Sequence, residues 1–115
     1  MIYKLINKQL FEIAERNKIN YSYNSNCFKL FDNDKICRLS IAFMTIGTYA
    51  IMIEIDGNKK CLGRVSDVQT LFLLSILRDN LNNNSFPNAL KEMCRSHKKI
   101  QEIIKELKDN ENSTN

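Results

Sequence analysis

From Phe28 to Val65 apolar and polar residues alternate with the two-residue period of a half-buried strand, and turn-forming residues break the alternation three times. The best-defined break is Met44-Thr45-Ile46-Gly47-Thr48, which suits a three-residue loop with Gly47 left-handed and Met44 opposite Thr48. Outward from that loop Phe43 faces Tyr49, Ile41 faces Ile51, Leu39 faces Ile53 and Cys37 faces Ile55. The reverse side then pairs Ala42 with Ala50, Ser40 with Met52 and Arg38 with Glu54, so opposite charges meet across strands.

A second loop, Asp56-Gly57-Asn58 with Asn58 left-handed, is expected to pair Glu54 with Lys60, Ile53 with Cys61, Ile51 with Gly63 and Tyr49 with Val65. On the N-terminal side a two-residue turn at Asn33-Asp34 sets Leu30 against Cys37 and Phe28 against Leu39. The expected sheet is a four-stranded antiparallel meander over residues 26–32, 36–44, 48–55 and 60–65. Its dry face carries Phe28, Leu30, Cys37, Leu39, Ile41, Phe43, Tyr49, Ile51, Ile53, Ile55, Cys61 and Val65.

Such a face must be covered, and helical periodicity elsewhere supplies the cover. Ile2, Leu5, Ile6, Leu10, Ile13 and Ala14 form one side of an N-terminal helix ending near Asn17. Ser66-Asp67-Val68-Gln69 is a capping box that opens a helix apolar nearly all round, expected to be buried. Pro87 starts a second C-terminal helix, amphipathic through Leu90, Met93, Cys94, His97, Ile100, Ile104 and Leu107. Residues 19–26 fit less simply: extending the first strand through Tyr21 and Tyr23 turns Ser22 and Asn24 inward unless a bulge or loop intervenes. The fold class expected is α+β, one domain over residues 1–108 with a disordered polar tail from 109 to 115, the helices packed on one sheet face.

Composition narrows the function classes. The chain has 115 residues and a formal charge of +4, with no secretion-signal pattern and an apolar helix too short to span a bilayer, so a cytoplasmic protein away from membranes is expected. Its four cysteines are expected to be reduced, with Cys37, Cys61 and Cys94 as small core residues and Cys27 on the outer sheet face. Cys94 and His97 share a helix face, but a tetrahedral metal site wants more ligands, and a nucleophile and base projecting side by side lack an orienting third group. Asp56-Gly57-Asn58 lacks the rest of a calcium loop. No catalytic residue, metal site or cofactor is therefore expected, with an enzyme whose site escapes motif reading as the contrary case.

Two surfaces remain. If all helices pack on the dry side, the outer sheet face shows Lys29, Phe31, Arg38, Met52, Lys60, Leu62 and Arg64 around small residues, a patch suited to a protein partner. A first helix crossing to that side would cover it instead. Lys91, Arg95, Lys98 and Lys105 recur at helical spacing on the last helix, and the second reading is nucleic-acid binding through that stripe. The leading expectation is a small non-catalytic interaction protein, of the kind phages and mobile elements use as inhibitors or adaptors, with homodimerisation as a further option.

Overall fold

A computed structural model describes residues 2–113. The fold is α+β: helix α1 (Ile2–Asn17), strands β1 (Asn20–Asn24), β2 (Cys27–Phe31), β3 (Cys37–Thr45), β4 (Thr48–Ile55) and β5 (Asn58–Ser66), then helices α2 (Asp67–Leu81) and α3 (Phe86–Ser113). The sheet has five strands in sequence order, all neighbours antiparallel. Four were expected. The additional strand is β1, which turns into β2 through Ser25 and Asn26, both at positive φ. This is the two-residue hairpin whose twist matches that of the flanking strands. The reversal also resolves the alternation of residues 20–24, because Tyr21 and Tyr23 now lie opposite Leu30 and Phe28 on the dry side while Ser22 faces Lys29 on the other.

The central hairpin has the expected register from Cys37 opposite Ile55 to Phe43 opposite Tyr49. Near its tip Thr45, not Met44, pairs with Thr48, so Met44 is the extra residue of a bulge, and Gly47 takes φ +80. Between β2 and β3 the pairing is displaced by two residues, Leu30 with Leu39 and Phe28 with Ile41. The cause is a wider loop. The Asp32 carboxylate accepts hydrogen bonds from the amides of Ile36 (2.8 Å) and Cys37 (3.2 Å), closing residues 33–36 over its own side chain. A shift of two keeps every side chain on its expected face.

The change that matters lies in β5. Asp56 and Gly57 both have positive φ, and Ile55 pairs directly with Asn58, so the turn holds two residues rather than three. Ile53 therefore faces Lys60 and Met52 faces Cys61, while Ile51 still faces Gly63. Leu62 is the extra residue, in a bulge next to Gly63 at φ +79. Moving the extra residue from the turn to the bulge inverts residues 60–62. Leu62 goes into the core at 8% exposure and Cys61 comes out, contrary to both expectations. Burying a leucine side chain contributes about 1.5–3 kcal/mol, more than the smaller cysteine would.

All three helices lie on the dry side. Ile6, Leu10, Ile13 and Ala14 of α1, Leu73, Leu74 and Leu77 of α2, and Ala89, Leu90 and Met93 of α3 join the inward residues of β2 to β5 in one buried cluster. Helix α1 packs on β1 and β2, α3 on β3 and β4, and α2 touches both other helices. Its start is capped as read, Ser66 Oγ accepting from the Gln69 amide at 3.1 Å. It is less enclosed than its composition implies, since only the Thr70, Leu73, Leu74 and Leu77 side is buried and Val68 and Phe72 face out. Helix α3 has 28 residues, about 42 Å of rise, and runs on through Ser113, with Leu107 exposed rather than packed on α2. Residues 109–113 are thus helical, and Thr114 and Asn115 lie outside the described residues.

A Cβ on Gly63 meets no atom within 4 Å, so the cost of Gly63→Ala is the left-handed backbone alone, about 1–2 kcal/mol. Chemical denaturation of the variant should show that loss. Unchanged stability would mean that the bulge does not hold φ positive.

Candidate functional site

The chain matches no protein-family model, no curated protein and no solved structure. Among the described residues no group of three or more His, Cys, Asp or Glu is placed to hold a metal ion, and no helix is long and apolar enough to cross a membrane.

The outer sheet face is open because every helix lies opposite. Its central residues line a shallow depression of about 320 Å³, with Ser40, Ala42 and Ala50 as a small-residue floor, Met52 rising from it at 41% exposure, and Lys29, Arg38, Lys59 and the single carboxylate of Glu54 as its charged lining. Phe31 lies beside Lys29, Lys35 and Arg38, and Arg64 is exposed opposite Ala50. Five of the expected contact residues, Lys29, Phe31, Arg38, Met52 and Arg64, thus share this face. The two-residue turn at Asp56-Gly57 removes the other two, Leu62 to the core and Lys60 to the helix side. Arg38 stands opposite Glu54 in register, yet the ion pairs among the described residues are Arg78 with Asp79 and Arg95 with Glu92, which leaves Arg38 unpaired.

Lys60, displaced from that face, meets α3. A groove of about 690 Å³ runs between the β4–β5 hairpin and α3, with Ile53, Ile55 and Cys94 as apolar lining and Lys59, Lys60, Lys91, Arg95 and Lys98 as its charged lining. Asp56 is the carboxylate that lines it. Lys91, Arg95 and Lys98 from the expected basic stripe are brought together here, whereas Lys105 lies further along α3 and outside the groove. Lys59 and Lys60 are the members sequence reasoning missed on this side. The signal for Lys60 was Asp56-Gly57, a dipeptide that favours a two-residue turn and so turns Lys60 toward α3, whereas Lys59, opposite Glu54, starts from the outer face and lines both the groove and the outer depression.

Burial raises the Cys94 thiol above its ordinary range, with Lys60 acting weakly against it. Burial, then Lys60, lowers the pKa of half-buried His97. The buried Cys94 thiol is thus disfavoured as a thiolate, in keeping with Cys94 as a core residue.

A third cavity was not foreseen. Tyr3, Tyr23, Phe43 and Tyr49 line a cleft of about 530 Å³ beside Asp67 and Gly47. Its walls are locked together: the Tyr3 ring stands edge-on to Phe43 at 5.4 Å, Phe43 meets Tyr49 at 5.7 Å, and the Tyr3 and Tyr23 hydroxyls share a hydrogen bond of 2.5 Å. Burial and that hydrogen bond push the Tyr3 phenol up to about 12. Tyr21 bonds to Asn7 in the same layer, so these aromatics also fasten α1 to β1.

Two measurements check these placements. Titration with a thiol reagent should give Cys61 as the fastest site, lost in Cys61→Ser, with half-buried Cys27 slower and Cys37 and Cys94 unreactive until unfolding. A slow Cys61 would contradict the bulge. Because the His97 pKa is lowered on folding, the unfolded chain binds the proton more readily, and the stability linked to His97 is complete above about pH 6.5 and lost as pH falls below it. Thermal melts between about pH 7 and 5 should therefore show a smaller decline in His97→Gln than in the native chain. Equal declines would remove His97 as the cause.

Proposed function

We propose that the chain is a binding protein that engages a protein partner through its outer sheet face, acting as a stoichiometric adaptor or inhibitor without chemistry of its own. The observation that carries this reading is the one-sided helix layer. A five-stranded sheet with one face packed and the other bare presents a surface roughly 20 by 25 Å, which approaches the buried area of one side of a standard interface. Its centre is small and apolar, so a partner's side chains can approach the backbone closely. Met52 is the protruding anchor, and the basic rim of Lys29, Arg38 and Arg64 calls for an acidic surface around an apolar contact.

Alternation of this kind is favourable for a partner because the sheet is already rigid and little order is lost on binding. Arg38 and Met52 sit on adjacent strands, Met52 opposite Ser40 and Arg38 opposite Glu54, so both contribute to one contact area.

The test is affinity capture from native cells with the wild-type chain and with the double variant Arg38→Glu, Met52→Glu, folding being checked by circular dichroism. A specific partner should be retained by the wild type and lost by the variant by at least about tenfold, since a central anchor and a rim charge are both removed. Equal retention by the two proteins would refute this use of the face.

A further inference from the structure

We infer that the groove between the β4–β5 hairpin and α3 is a second binding surface, shaped for the phosphodiester backbone of duplex nucleic acid and adjoining the outer sheet face at Lys59 alone. Its cations come from two separate elements, Lys59 and Lys60 from β5 and Lys91, Arg95 and Lys98 from α3. Like charges gather here against their mutual repulsion. Among the described residues none of the four lysines has a carboxylate within ion-pair distance, while Arg95 is engaged by Glu92 and Asp56 is the acidic lining residue. The groove therefore presents a concentrated positive field over an apolar floor, an arrangement that gains most from a ligand carrying closely and regularly spaced negative charge.

The number and spread of the cations favour a repeated anion over a single one. Arginine forks suit carboxylate and phosphate alike, and the one arginine here is already paired, so the four lysines along two elements are what a ligand meets. Lysine ammonium groups on flexible stems act as point charges and tolerate the repeated, non-directional contacts that a phosphodiester chain offers. Lys91 and Lys98 lie seven positions apart on one helix, about 10.5 Å along its axis, so the pair reaches separate phosphates of a strand and not a single one. Among the described residues no aromatic side chain lines the groove, which withholds the stacking platform that single strands require. Contact with backbone and not bases predicts binding without sequence preference.

The experiment is fluorescence anisotropy with a labelled duplex of about 20 base pairs and with a single strand of the same length, across a salt series starting near 20 mM. With about four lysine contacts, the plot of log affinity against log salt for the duplex should have a slope of about −3.6. The double variant Lys60→Glu, Lys98→Glu should weaken duplex binding at least tenfold at low salt. The Arg38→Glu, Met52→Glu variant should bind the duplex as the wild type does, which keeps this inference separate from the partner reading. Absence of binding at the lowest salt, equal binding by the Lys60→Glu, Lys98→Glu variant, tighter binding of the single strand, or equal affinity for a polyglutamate peptide of matched charge would each overturn it.

Discussion

The organisation of both surfaces depends on one constraint, that side chains of a strand must alternate faces unless an extra residue is inserted. In β5 the insertion falls at Leu62, and the left-handed backbone of Gly63 accommodates it. Had the extra residue sat in the turn instead, Leu62 would stand in solvent and Cys61 in the core. With it at Leu62, the core gains a leucine, and Lys60 swings from the outer sheet to the side of α3. The same local event that completes the core therefore divides the basic residues into two groups, one at the rim of the sheet and one in the groove.

The other side of the molecule is held by aromatic packing. Tyr21 and Tyr23 project inward from β1, and α1 settles on them through Asn7, Phe11 and Tyr3. That contact is why α1 joins the other two helices and does not cross the sheet. An amphipathic helix satisfies its apolar side equally well on either face, so its own periodicity does not choose. The choice is made by the extra inward surface of β1.

Much of this was legible in the residues, and the parts that were not share a cause. The β3–β4 register followed from Gly47 and a run of matched apolar pairs, with a misplacement of the extra residue at Met44 that left the paired faces untouched. The β2–β3 offset came from the Asp32 side chain acting as a backbone substitute, an interaction invisible to periodicity but harmless because an even shift preserves facing. The β1–β2 turn was hidden because Ser25 and Asn26 adopt positive φ without a glycine to announce it. In β5 an odd shift was introduced and then undone by the bulge, so the ends of the strand were read correctly and its middle inverted. Of the candidate contacts, Leu62 and Lys60 fell in that middle; Lys29, Phe31, Arg38, Met52 and Arg64 fell outside it and kept their face.

Cross-strand backbone NOEs in the β4–β5 hairpin test the bulge most directly. The account predicts contacts linking Ile53 with Lys60 and Met52 with Cys61, together with Ile51 and Gly63. Contacts linking Ile53 with Cys61 and Glu54 with Lys60 would contradict it, returning Lys60 and Leu62 to the outer face and dissolving the groove.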